Sequence, residues 1–252
     1  MPLPGAAELF AILVVFVRVG SALMVLPGLS ASYVSMRIRL VLALLLALML
    51  QPVLSPTLPP LPDSPSAMAL TVVCEMLIGA FLGLLPRLAI AALHTAGTFI
   101  SFFGSFASAI ADDSVADQQS STLASFLGTA GVVLVFVTDL HHLMLRAIAE
   151  SYGLFVPGSL LPANAMTATL AQGLAGSFAL ALQLSAPFLI VGLASNVALG
   201  LLGRLMPQLP ILFFGMPFQI GLQLWVLMLG FSGIMLVFLN RFSDAFAGLA
   251  GG

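Results

Sequence analysis

Residues 194–221 read ASNVALGLLGRLMPQLPILFFGMPFQIG and lie between two long apolar runs. Arg204 is the only charged residue from position 151 to position 240. Pro207 and Pro210 follow it closely, and because proline lacks an N–H and fixes its own φ angle, a helix does not continue through such a pair. The stretch therefore predicts a polar turn between two apolar helices, which is the pattern of a helical hairpin in a membrane.

The flanks of this turn extend the prediction. Gln208 adds polarity between the two prolines, and Gly215 and Pro217 weaken the returning helix near its start. A lipid-exposed helix tolerates such residues only where neighbouring groups satisfy the freed carbonyl. We predict long helices over residues 166–203 and 211–240. Pro187 divides the first into about two spans' worth of length at 1.5 Å per residue.

The composition places the chain among polytopic membrane proteins. Of its 252 residues, 61% are hydrophobic and 6% are charged, whereas about 25% are charged in a soluble domain. Repeated apolar runs of 18 or more residues predict an all-α fold of membrane-spanning helices. The net charge of −2 provides no basic surface for nucleic acid, and the single Cys74 excludes an internal disulfide framework.

In the first half of the chain, apolar runs predict helices over residues 6–29, 38–54, 67–85 and 89–110. A proline-rich segment over residues 51–65 predicts an extended loop of polyproline type. We expect the chain to reverse direction at Pro86 and Arg87, since a proline beside a charge is typical of a turn at the membrane surface.

Two charges lie away from the ends of these apolar helices. Arg18 is near the middle of the first helix, and because a central arginine costs roughly 2.5–3.5 kcal/mol on insertion scales, we expect it to have a partner. Glu75 is in the third helix, where Gly79 and Gly83 are one turn apart and allow a close helix approach. We favour a role for Arg18, Glu75 and Arg204 in docking helices or subunits over a proton pathway.

The sidedness of the helices is ambiguous from charge alone. Arg37 and Arg39 place the loop over residues 30–39 in the cytoplasm by the positive-inside rule. Arg204 places the hairpin turn on the same side. If every helix crosses the membrane in the direction opposite to the one before it, these two assignments are incompatible with an outer position for the acidic stretch over residues 110–122.

Residues 110–122, IADDSVADQQSST, form the most polar stretch of the chain. It contains Asp112, Asp113 and Asp117, and its backbone would lack hydrogen-bond partners in lipid. We predict a loop here that lies either in solvent or inside an aqueous lumen.

Three histidines and an acid raise the alternative of a metal site or a protease. Adjacent His141 and His142 are expected on different faces of a helix, which is poor ligand spacing for a metal. The sequence has no H-E-x-x-H, G-x-S-x-G or P-loop motif. From Asp139 and His94 together with this pair we therefore predict no catalytic, metal or cofactor site.

Five blocks of the chain resemble, in the same order, the FliR family of the bacterial type III export gate. One block is the hairpin stretch ASNVALGLLGRLMPQLPILFFGMP at 194–217. The others are FVRVGSALMVLPG at 16–28, RIRL at 37–40, CEMLIGAFLGLLPR at 74–87 and DLHHLMLRAIAESYGLFVPG at 139–158. The resemblance covers nearly the whole chain.

The resemblance implies a FliP-like part over residues 1–165 and a FliQ-like helical hairpin over 166–252. It also implies a loop over about residues 105–122 that plugs the export pore, although this chain has Asp113-Ser114 where the family pattern carries Asp-Pro. The residues assigned to the plug are Phe102, Phe103, Gly104, Phe106, Asp112, Asp113 and Asp117. Those assigned to assembly or to the turn are Arg18, Arg37, Arg39, Glu75, Gly79, Gly83, Arg204, Pro207, Gln208, Gly215 and Pro217.

The implied function is that of a non-enzymatic subunit of the flagellar export gate in the bacterial inner membrane, at the flagellar basal body. Its implied partners are FliP and FliQ, then FlhB and FlhA, with unfolded flagellar proteins as cargo and lipid around it. The alternatives are the corresponding gate of a virulence injectisome, a stand-alone transporter with an internal repeat, and an intramembrane metalloenzyme.

Overall fold

The computed structural model describes residues 5–103, 113–159, 161–206 and 211–250, with the backbone alone for 113–121, 211–214, 216 and 247–250. Within these ranges the chain forms seven α-helices and one 3-10 turn without any strand, which confirms the all-α prediction. The helices are α1 Ala6–Val25, α2 Met36–Leu54, α3 Pro65–Phe103, α4 Asp113–Val137, α5 Leu140–Leu154, α6 Ala163–Leu205 and α7 Ile211–Ala250; the 3-10 turn is Ser55–Thr57.

Most of these helices have the length and apolar composition of membrane spans. Five of them in the described part of the chain could cross a membrane, and a sixth span results if α4 and α5 are taken as one bent pair. The polytopic class predicted from composition is therefore confirmed.

The reversal predicted at Pro86 and Arg87 is wrong, because α3 continues through both residues for 39 residues in all. A proline inside a helix removes one backbone hydrogen bond and strains one turn, which bends a helix more often than it reverses it. The charge of Arg87 does not mark a turn either, since its side chain is exposed on the continuous helix.

The loop predicted over residues 110–122 is wrong from residue 113 onward, since α4 begins at Asp113. Carboxylates in a first helical turn are favourable because they face the positive end of the helix dipole, and the two glutamines that follow are good helix formers. Residues 110–112 lie outside the described residues.

Between α4 and α5 the chain bends by 75°. Asp139 sits at this bend with φ 59° and ψ 11°, in the left-handed region, and it is the one non-glycine residue with positive φ in the described part. Aspartate is among the residues that adopt this conformation most readily.

The chain divides into two compact units, neither of which is continuous in sequence. One comprises Met1–Leu88, Val135–Gly173 and Phe242–Gly252, and the other comprises Ala89–Leu134 and Leu174–Arg241. The first has a core of α1 side chains such as Val14 and Val19 with Ile148 of α5, and the second has a core that includes Leu93 and Phe188.

Candidate functional site

The most buried charged group in the described residues is an ion pair between α1 and α3. The Arg18 Nε donates to Glu75 Oε2 at 2.6 Å, and its Nη2 donates to Glu75 Oε1 at 2.9 Å. Both side chains are 0% exposed. Two parallel hydrogen bonds between a guanidinium and a carboxylate are the strong, orientation-specific form of an ion pair. Arg18 thus has the partner that its central position in an apolar helix requires.

The remaining donors of Arg18 reach α5 and the segment after it. Nη1 donates to Ser151 Oγ at 3.2 Å, and Nη2 also donates to the carbonyl of Phe155 at 2.8 Å. The Tyr152 ring lies 4.0 Å from the guanidinium carbon, in the position of a cation–π contact. One arginine therefore ties three helices of the first unit together.

Small residues on α3 bring Glu75 close enough for this pair. Gly79 and Gly83 follow Glu75 at intervals of four, so all three share one helix face. A Cβ added at Gly79 would overlap the Arg18 carbonyl, and one at Gly83 would lie 2.6 Å from the Ala22 carbonyl. The glycine spacing predicts such a close approach, and here it is the α1 backbone that approaches.

The two arginines after α1 differ in their surroundings. Arg39 Nη2 donates to the carbonyls of Ala31 at 2.6 Å and Val34 at 2.8 Å, and so closes the loop between α1 and α2. Arg37 is exposed. The sidedness predicted from the two charges stays a prediction.

In the second unit, α6 and α7 pack antiparallel, as the hairpin prediction requires. Moving back along α6, Leu199 contacts Gly215, Asn196 accepts a hydrogen bond from Gln219 at 3.4 Å, and the Phe188 carbonyl accepts one from Gln223 at 3.1 Å. Partners that recede along one helix while they advance along the other define a hairpin. Pro207 and Gln208, at its turn, lie outside the described residues.

The hairpin buries polar side chains and exposes apolar ones. Gln219 and Gln223 are 2% and 1% exposed, while Arg204 near the turn is exposed, and Pro217 lies inside α7. The apolar side chains that are more than half exposed repeat at helical spacing on one face of each helix. They include Ile190, Leu193, Val197 and Leu201 on α6, and Phe218, Trp225, Leu229 and Leu236 on α7.

Of the seven residues assigned to the plug, three lie outside the described part and two are described by their backbone alone. Phe102 and Phe103 end α3, with ring centroids 5.5 Å apart and Phe102 largely exposed. Gly104, Phe106 and Asp112 lie outside the described residues. Asp113 and Asp117 belong to the helical backbone of α4. Their role in a plug stays a prediction.

The end of α3 rests against the hairpin in the second unit. A Cβ added at Gly192 of α6 would lie 2.5 Å from the Phe103 carbonyl oxygen and 3.1 Å from Gln223 Nε2. Glycine is therefore required there if the α3 end is to keep its position. Sequence reasoning did not single out Gly192, Gln219 or Gln223, and two glutamines at a spacing of four in an apolar helix are the signal that could have found them.

Asp139, His141 and His142 lie together at the bend between α4 and α5. The expectation that the two adjacent imidazoles diverge is wrong, because their ring centroids are 4.1 Å apart. Each of the three side chains offers one ligand atom within 4.8 Å of the others. The third histidine, His94, belongs to the second unit, where it contacts Gly128 of the same unit.

Comparison with known proteins matches the chain to one family over nearly its whole length. The family described as "Bacterial export proteins, family 1" matches residues 9–245. The chain is 37% identical over 239 residues to the flagellar biosynthetic protein FliR of Caulobacter vibrioides, covering 95% of each chain. It is 30% identical over 172 residues to the protein of the same name from Bacillus subtilis, covering 67% of this chain and 66% of that one. The Escherichia coli protein of that name is 32% identical over 148 residues, 58% of this chain and 56% of that one.

Proposed function

The chain belongs to the family of bacterial export proteins, family 1, together with the flagellar FliR proteins, and from this premise we propose that it is a membrane subunit of the flagellar type III protein-export gate. In this proposal it forms, with FliP- and FliQ-type subunits, the channel for unfolded flagellar proteins in the bacterial inner membrane. FlhB and FlhA are further partners. The role is structural and conductive, and not enzymatic.

The length of the hairpin helices is the main support for assembly with other subunits. α6 has 43 residues and α7 has 40, which is roughly 60 Å each at 1.5 Å per residue. The hydrocarbon core of a bilayer is about 30 Å thick, and helix tilt rarely exceeds about 40°. Even at that tilt, more apolar helix remains than lipid covers.

The apolar face of the hairpin points to the same conclusion. The exposed faces of α6 and α7 continue from Ile190 to Leu201 and from Phe218 to Leu236. A continuous apolar surface of this extent marks a protein or membrane contact. Because lipid accounts for only part of the length, neighbouring subunits cover the rest.

Site-specific photocrosslinking tests this assignment. A photoreactive amino acid placed at Val197 and, in a separate variant, at Trp225 is expected to crosslink to FliP- or FliQ-type subunits in motile cells. The same variants in cells that lack FliP are the control, and there the protein crosslinks should disappear. Crosslinks to lipid alone in both backgrounds, or a chain that purifies alone when all subunits are co-expressed, would contradict the proposal.

The plug is the second part of the proposal. Residues of about 105–122 follow Phe103, whose carbonyl lies against Gly192 of the hairpin. This contact supports a plug whose base is seated on the hairpin. Deletion of residues 111–120 is expected to let small ions leak through cells that express the whole gate. Unchanged ion permeability, with the gate still assembled, would count against the plug.

A further inference from the structure

We propose that Asp139, His141 and His142 bind one divalent cation of the zinc class. Their three ligand atoms lie within 4.8 Å of one another, with Asp139 Oδ1 3.7 Å from His142 Nδ1. Two imidazoles and one carboxylate are a donor set of zinc sites that keep a fourth position open for water. Imidazole ligands favour zinc, nickel and copper over magnesium and calcium.

The bend in the backbone creates this arrangement. Asp139 is in the left-handed conformation immediately before α5, so its side chain lies beside the first turn that carries both imidazoles. An aspartate before a helix ordinarily accepts a hydrogen bond from the backbone N–H of the second or third helical residue. Asp139 makes no such bond and is 77% exposed. Its carboxylate is therefore not engaged in capping and faces the histidines.

Packing fixes the position of His141, but within the described ranges one of its nitrogens lacks a partner. Its ring stacks on Phe136, with centroids 5.0 Å apart and planes 16° apart. Its Nδ1 is buried and has no hydrogen-bond partner among the described residues. Buried polar atoms are nearly always satisfied, and a metal ion held by the cluster would bring a partner to this imidazole.

An ordinary contact at the helix terminus accounts for less of the geometry. Asp139 and a protonated His142 would form an exposed pair three residues apart, but 3.7 Å exceeds a hydrogen bond. That pair also leaves His141 Nδ1 unsatisfied. A cation joins all three groups, and its binding would weaken at low pH because the imidazoles must be neutral to bind it.

Metal titration of the full chain tests the site. The protein is purified in detergent with a tag that contains no histidine, stripped with chelator, and titrated with Zn²⁺ by calorimetry and with Co²⁺ by absorption. We expect one ion per chain. His142→Gln and Asp139→Asn should each weaken binding at least tenfold, whereas His94→Gln and Asp63→Asn, which change the same residue types elsewhere, should not alter it.

Loss of binding through misfolding is distinguished from loss of a ligand by the shape of the variant protein. His142 is 70% exposed, so its variant should keep the elution volume and helical circular dichroism of the unaltered chain. No binding by the unaltered chain would overturn the proposal, as would equal binding by all variants or displacement of Zn²⁺ by equimolar Mg²⁺. The site does not depend on the export function, and failure here leaves crosslinking to gate subunits unaffected.

Discussion

Removing the Glu75 charge should destabilise the protein far more than removing the charge of an exposed ion pair. Glu75→Gln keeps the shape of the side chain but leaves the Arg18 guanidinium buried with neutral acceptors alone: the Gln amide, Ser151 Oγ and the Phe155 carbonyl. Removing one partner of a buried pair costs about 3–5 kcal/mol. This is roughly two to three and a half powers of ten in the unfolding equilibrium.

The chain supplies a matched control for this change. Arg146 and Glu150 of α5 form an ion pair with the same 2.6 Å distance, but their side chains are 69% and 32% exposed. A pair of this kind, four residues apart on a helix, contributes about 0.3–0.5 kcal/mol. Glu150→Gln therefore tests the same chemical change in a pair whose arginine is largely exposed.

Thermal unfolding in mild detergent, followed by the loss of the monodisperse gel-filtration peak, measures both variants. For a chain of this size 1 kcal/mol shifts the midpoint by about 2–4 °C, so Glu75→Gln should lower it by about 6–20 °C and Glu150→Gln by about 2 °C or less. The double variant Arg18→Met with Glu75→Leu should lose less stability than Glu75→Gln, since it leaves no buried charge. The reasoning fails if the two Gln variants are equally stable or if the double variant is the least stable.

Three further outcomes follow from the packing. Gly79→Ala should destabilise the chain by about 1–3 kcal/mol, because the new methyl meets the α1 backbone, whereas Gly230→Ala, which faces open space, should be neutral or stabilising by up to about 1 kcal/mol; thermal midpoints check both. Gly192→Ala should displace the end of α3 and raise the ion leak of the assembled gate, while Gly200→Ala on the same helix should leave membrane conductance unchanged. Gln223→Glu should lower the thermal midpoint by more than about 5 °C, because it places a carboxylate at a position that is only 1% exposed, and an unshifted midpoint would show that the position is solvated.

The two helices of the hairpin were predicted from the sequence, and so were most of their ends. The turn chemistry around Arg204 predicts the hairpin, and α6 and α7 lie within a few residues of the predicted bounds at most ends. In contrast, the amino-terminal residues of α4 and the continuity of α3 through Pro86 were missed. Local propensity gives turns and helix caps similar weight, and packing by neighbours selects between them.

The sequence by itself determined the class of the protein, its helical hairpin and its family. A chain with 6% charged residues satisfies its backbone polar groups in lipid only within helices, so composition and breakers reveal the spans. Tertiary structure alone decided which charge neutralises Arg18, since Glu75 and Ser151 are 57 and 133 positions away. It also decided that Asp139 and two adjacent histidines converge. Such contacts depend on how close two backbones come and on a single left-handed residue, which no residue pattern along the chain specifies.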